Sequence, residues 1–187
     1  MVDSLMVPLG MKAPNFSLPD PSGTVHHLAS FADAPAVLVM FLCNHCPYVK
    51  HVRHGIAELA ADYVPRGLGV VGINANDFER YPEDAPPRMG EFAAEAGWAF
   101  PYLYDEGQAV ARAYGAACTP DFFLFDGSAT LVYRGQMDRS RPGNDVPVSG
   151  EDLRRAIDAV LAGQPVQHEQ WPSTGCSIKW RSANELA

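Results

Sequence analysis

The sequence predicts an α/β fold in which helices flank a mixed central sheet, with a β-hairpin towards the N-terminus and a tail at the C-terminus. Three observations carry that expectation. Residues 36–42 (A-V-L-V-M-F-L) are an unbroken apolar run, which suits a strand buried on both faces in the middle of a sheet. Directly behind it, Val49, Val52, Ile56, Leu59, Ala60 and Tyr63 recur three or four residues apart, with Lys50, Arg53, His54, Glu58 and Asp62 between them. That is the pattern of an amphipathic helix. Further on, residues 120–125 and 131–134 read as strands joined by Asp126-Gly127-Ser128, a link short enough to make them an antiparallel pair.

The other elements follow in order. Residues 16–18 and 25–28 are short extended pieces around the turn-rich Pro19-Asp20-Pro21-Ser22-Gly23, the N-terminal hairpin. The central strand and its helix run to Tyr63, ahead of Pro65 and Gly67. Residues 68–73 form a second apolar strand leading into Asn74-Ala75-Asn76-Asp77, a polar loop at the strand end where ligand-contacting loops of α/β sheets gather; a plain Asn/Asp turn reads equally well. Residues 88–96 are expected to be helical, with Asp84 as cap and Pro86-Pro87 in the first turn. A short strand at 100–104 precedes a helix capped by Asp105 and stopped by Gly115. Ser149-Gly150-Glu151-Asp152 reads as a capping box. It opens a last helix with Leu153, Ile157, Val160 and Leu161 on one face.

Length and composition bound the function. A chain of 187 residues is expected to be one domain, with residues 164–187 as a packed tail. The formal net charge of −8 and the absence of a basic run argue against nucleic acid. No apolar stretch approaches membrane-spanning length. The first residues carry no cationic region followed by a long apolar core, so no signal peptide is expected and the expected location is the cytoplasm. Thiols are kept reduced there, and four cysteines then point to catalysis or metal rather than a disulfide framework.

The chemistry centres on the C-x-x-C of Cys43 and Cys46, placed where a buried strand hands over to a helix. A thiol at a helix N-terminus meets unpaired N–H groups and the positive end of the helix dipole, both of which favour the thiolate. Cys43 is expected to be the nucleophile, nearest the helix terminus and solvent. Cys46, inside the first turn, is expected to be the buried thiol that resolves the mixed disulfide. A structural zinc site would need two more ligands; His51 and His54 follow on the helix, but no second cysteine pair exists. A static disulfide across so short a loop would stabilise little.

Strand, C-x-x-C and helix, followed by Thr119-Pro120 opening a paired strand, resemble the thioredoxin fold. The segments F-L-C-N-H-C-P-Y-V-K, G-I-N-A-N-D, Y-P-E-D-A-P, T-P-x-F-F-L-F-D and G-C-S-I-K-W resemble the peroxiredoxin-like, redoxin branch of that fold, over roughly residues 14–180. The resemblance implies that Pro120 is a cis-proline beside the redox pair, and that Thr119 and Pro120 offer free backbone groups to an extended substrate segment. The plainer reading is a proline opening an edge strand. Leu42 and Asn44-His45 depart from the Trp and Gly-Pro of thioredoxin, and Val37 stands where thioredoxin has a buried carboxylate. Proton transfer is then expected from another group: His45, Asp77 or water. His45 before the second cysteine resembles the DsbA arrangement, and with Asn44 it is a candidate for tuning the thiols. A potential above the ~−270 mV of thioredoxin follows.

Cys118 and Cys176 remain. Cys118 reads either as a third redox thiol or, more in keeping with free cysteines, as a buried small residue. Cys176 lies in a tail with Trp171, Pro172 and Trp180 that is expected to pack on the domain, where it would serve as a resolving or regulatory thiol; Asn76 and Asp77 are further auxiliary candidates. The reaction expected is thiol-disulfide exchange, with a redox-active Cys43–Cys46 disulfide and no other cofactor. Its partners would be disulfide-bearing proteins or small thiols and a cellular thiol reductant, without nucleic acid or membrane. Two other classes stand beside it. A peroxiredoxin-type peroxidase would place Pro and Thr/Ser seven and three residues before its cysteine. Ala36 and Met40 occupy those positions for Cys43, and Val39 and Cys43 for Cys46. A thiolate metal-binding or redox-sensing module is the third reading.

Overall fold

A computed structural model describes residues 1–182. In chain order it places β1 (Val2–Asp3), β2 (Ser17–Pro19), β3 (Val25–His27), β4 (Ala36–Phe41), α1 (Pro47–Tyr63), β5 (Leu68–Asn74), α2 (Pro86–Ala96), β6 (Tyr102–Tyr104), α3 (Ala109–Tyr114), β7 (Cys118–Thr119), β8 (Asp121–Asp126), β9 (Leu131–Gly135), α4 (Glu151–Leu161) and β10 (Thr174–Ser177). The main sheet has the order β6-β5-β4-β8-β9. β4 runs parallel to β5 and β5 to β6, whereas β8 is antiparallel to both β4 and β9. This is the mixed sheet of a thioredoxin-like fold, and β2 pairs with β3 as the N-terminal hairpin.

All six residues of β4 are buried because helices cover both sheet faces. Leu38, Met40 and Leu42 pack with Val49, Val52 and Ile56 of α1, Phe92 of α2 and Ile157 of α4. Val37, Val39 and Phe41 face the other way, against Phe16, Tyr114 and Phe123. Each such side chain contributes roughly 1.5–3 kcal/mol through burial, so the strand that carries the C-x-x-C is fixed from both sides.

Two helix starts differ from the sequence expectation. Asp84 does not cap α2, whose N-cap is Ala85 without a side-chain bond; its carboxylate turns inward instead. The expected capping box at Ser149 is also absent. α4 begins after Gly150 in the left-handed region (φ 68°), and Asp138 accepts the N–H groups of Ser149 and Gly150.

The tail packs back on the domain. Ile178 is buried, Trp180 lies against the second core, and β10 pairs with β1 on one side and β7 on the other. Residues 183–187 of the expected tail lie outside the described residues.

Candidate active site around a pair of thiols

α1 begins at Pro47, and Cys46 is its N-cap. Proline is favoured at the first helical position because its missing N–H is one of the unbonded ones. The arrangement differs from the expected placement. Cys46, not Cys43, stands at the helix terminus, and Cys43 lies three residues earlier in the connection from β4. Neither is nearest to solvent: both are 0% exposed. The signal was in the sequence, since Pro47 following Cys46 marks the first turn.

The two thiols have opposite leanings. The Cys43 thiol, hydrogen-bonded to Cys46, is the largest influence holding Cys46 down, at about 4. Burial acts against it, while the Cys176 thiol and the backbone N–H groups of Val49 and Cys176 add to the lowering. The Thr119 carbonyl oxygen, 3.2 Å from Cys46 Sγ, accepts a thiol proton and favours the neutral form, but four donors outweigh it. Burial pushes Cys43 well up, assisted by the charges of Asp84 and Cys46; a hydrogen bond with Thr119 Oγ1 (3.1 Å) works the other way. The two thiols thus form one hydrogen-bonded pair, with Cys46 lowered and Cys43 raised.

Around it sits a buried polar cluster. Asp84 Oδ1 accepts the Asn44 N–H (2.7 Å) and Asn74 Nδ2 (3.3 Å), and Oδ2 is bonded to His45 Nδ1 (2.6 Å) and Asn76 Nδ2 (2.8 Å). Asn44 also donates to the Glu83 carbonyl and accepts from Tyr102. The Asp84 bond raises His45, although burial opposes it, and the ring stacks on Tyr81. Asp84 itself lies below the usual carboxylate range: its donors outweigh the burial that would raise it. His45 was expected to act on the thiols directly, but its Nδ1 is committed to Asp84. Asp84, absent from the expected site, is the carboxylate nearest the pair.

Asn76 does belong to the cluster, and its Oδ1 accepts the Lys179 N–H of the tail. Asp77 does not; its carboxylate bonds the Glu79 N–H, a turn. Cys118 is buried, with Sγ 3.7 Å from the Pro120 carbonyl oxygen, and burial raises its thiol far above the ordinary range. His51 and His54 point elsewhere: His51 bonds Ser140 and His54 accepts from Arg53. Among the described residues, Cys43, His45 and Asp84 bring one ligand-type atom each within 4.8 Å of one another. Asp84 is already bonded by four donors, which leaves its lone pairs engaged.

The Thr119–Pro120 peptide is cis and faces the thiols. Its expected free edge, however, is occupied. Cys176 of β10 stands opposite Thr119, and Ser177 opposite Cys118. Cys176, half-buried, hydrogen-bonds Cys46, and burial together with the charge of Cys46 pushes its own thiol up to about 11.

A family model described as Redoxin matches residues 8–153. Two solved structures are similar over nearly the whole chain. One is the hypothetical protein SMc02350 from Sinorhizobium meliloti 1021, at TM-score 0.96 and 50% identity, covering 97% of this chain and 100% of that one. The other is an uncharacterized conserved protein from Geobacillus kaustophilus, at 0.95 and 54%, covering 97% and 96%. Thiol-disulfide oxidoreductase ResA of Geobacillus thermodenitrificans is 27% identical over 158 residues, 82% of this chain and 79% of that protein.

Proposed function

Since this chain belongs to the Redoxin family, we propose that it is a thiol-disulfide oxidoreductase in which Cys43 attacks and Cys46 resolves. The observation that carries the reading is a pair of thiols in hydrogen-bond contact where β4 hands over to α1, beside the cis Thr119–Pro120 peptide. The relative named as an oxidoreductase supports the same reaction.

Cys43 gives up its proton, attacks one sulfur of a substrate disulfide and expels the other as a thiolate, leaving a mixed disulfide on Cys43. Cys46, drawn down by its hydrogen-bond donors, then attacks Cys43 Sγ and releases the second substrate thiol. Asn44, Asn74 and Asn76 hold the Asp84 carboxylate beside Cys43. Asp84 with His45 is the polar group placed to assist the proton's departure, the task that a buried carboxylate on the central strand was expected to leave vacant. The redox-active Cys43–Cys46 disulfide is the only cofactor this scheme uses.

Substrates are read as disulfides of proteins or small thiols, re-reduced by a cellular thiol, without nucleic acid or membrane. Residues 1–187 are taken as one domain. The composition favours the cytoplasm, where an antioxidant role would follow from the repair of oxidised thiols; alkylation of thiols in intact cells, followed by fractionation, tests the location.

Peroxide reduction is the competing reading, and the residues before Cys43 oppose it, since Ala36 and Met40 stand where peroxidases carry Pro and Thr. The deciding experiment compares the rate at which hydrogen peroxide oxidises the reduced protein with its rate against a model protein disulfide. Fast disulfide exchange with slow peroxide oxidation is expected. Fast, saturable peroxide turnover would replace the oxidoreductase assignment.

A further inference from the structure

Within the C-x-x-C, His45 is the residue that reaches the surface. Its side chain is 20% exposed, whereas Cys43, Asn44 and Cys46 are buried. The β7 edge beside the thiols is not an open entrance. β10 pairs with it, Cys176 opposite Thr119, and a Cβ on Gly175 would collide with the Thr119 carbonyl. An added peptide strand would have to displace that close-packed tail. The approach past His45 suits a small disulfide instead. Two side chains flank His45 there. Tyr81 stacks on the imidazole with ring centroids 5.3 Å apart, and Lys179 Nζ lies 5.7 Å from the Tyr81 centroid.

The tail carries two cations near this approach, and they differ in their partners. Arg181 faces Glu79 at 3.8 Å and Glu106 at 3.5 Å, so its charge is offset. Lys179 has no carboxylate partner among the described residues; its Nζ donates to Ser177 Oγ at 3.3 Å. The backbone fixes where Lys179 stands. Its N–H donates to Asn76 Oδ1, and its carbonyl accepts the Asp77 N–H and Gln108 Nε2. Asn76 in turn donates to Asp84, the carboxylate bonded to His45. Lys179 is therefore tied to the cluster that attends the thiols, and its charge lowers both His45 and Cys176. We propose that Lys179 is a specificity-determining residue that selects small disulfides bearing a carboxylate near the sulfur. The inference rests on the oxidoreductase reading and names its substrate class. A chain of net charge −8 repels anions at long range. An unpaired cation beside the reacting sulfurs is the local feature that would hold such a substrate, and complementarity of this kind sets specificity and rate of encounter.

The test mixes the reduced full chain with disulfides of similar length and different charge: anionic dithiodipropionate, neutral hydroxyethyl disulfide and cationic cystamine. Oxidation of the protein is timed by acid quench and intact mass. Relative to the neutral disulfide, Lys179→Gln is expected to slow dithiodipropionate and to speed cystamine by about fivefold each, the factor for a charge pair ~4 Å apart in water. Lys179→Arg keeps the charge and should restore the wild-type ranking. The difference between wild type and Lys179→Gln should shrink at ~1 M salt, where the screening length is about 3 Å. Rates that change equally for all the disulfides overturn the inference, because Lys179 would then act on the thiols and not on the substrate. Unchanged rates overturn it as well, and so does a wild type that reduces a model protein disulfide but none of the small ones. Each of these outcomes leaves the oxidoreductase reading standing. Failure of the wild type with every small disulfide and with the protein disulfide overturns both.

Discussion

Replacing Asp84 by Asn tests the buried cluster most directly. The two carboxylate oxygens each receive two donors: the Asn44 N–H and Asn74 Nδ2 on one, and His45 Nδ1 and Asn76 Nδ2 on the other. In an amide, one of those positions becomes an NH₂ group, so two donors face a donor. At about 1–3 kcal/mol for each buried donor left unsatisfied, the gross loss is about 2–6 kcal/mol. No longer burying a carboxylate offsets part of this, and a net destabilisation of about 2–4 kcal/mol is expected. Urea unfolding at neutral pH measures it as a lower midpoint at unchanged slope. A difference below ~1 kcal/mol would mean that the four bonds do not hold Asp84 in place, whatever their lengths.

The pH dependence adds a second check. His45 is raised from 6.5 in the folded state, so its contribution is fully present below pH 6.5 and is lost as pH rises through the folded value. Asp84→Asn has no such contribution to lose, so the gap between the two proteins should narrow above pH 6.5. Asp84 is lowered from 3.8; its own contribution is present above pH 3.8 and lost as pH falls through the folded value. A gap that widens as pH rises above 6.5 would contradict the His45–Asp84 coupling.

Other outcomes follow from the same site. The ultraviolet thiolate absorbance of the reduced protein should persist through weakly acid solution and fall as pH passes about 4, and Cys46→Ser should remove it. Stabilising the thiolate stabilises the reduced form, so equilibration with glutathione should place the Cys43–Cys46 couple above the ~−270 mV of thioredoxin; a value at or below that figure would mean the strongly raised Cys43 offsets the gain. Cys118→Ala should leave disulfide exchange unchanged, and Cys118 should resist alkylation until the protein unfolds, because burial keeps it a thiol. Asp121 is fully buried and pushed well above 3.8 by that burial. Its penalty appears as pH rises above the unfolded value, so Asp121→Asn should gain on the wild type in thermal unfolding as pH increases, and a pH-independent difference would refute its assignment as a neutral acid.

Much of this was legible from local pattern. The apolar run of β4 and the helical period of α1 are properties of adjacent residues, and the C-x-x-C at their junction follows from both. Pro47 even marked the first helical turn, and so Cys46 as N-cap. What the sequence could not supply were contacts made across distance in the chain. Asp84 looks like a helix cap beside two prolines, and only the packing of its loop against the C-x-x-C, 39 residues away from His45, turns its carboxylate inward. The T-G-C-S segment carries no strand signal of its own: four residues, one of them glycine, have too little propensity to declare β10. β10 exists because the β7 edge has unpaired backbone groups and Gly175 lets the tail approach them. The covalent pattern thus determined which sulfur chemistry the protein holds, and the tertiary structure decided how deeply the thiols are buried, which carboxylate attends them and which strand covers them, because each depends on groups brought together only by the closed sheet and its packed tail.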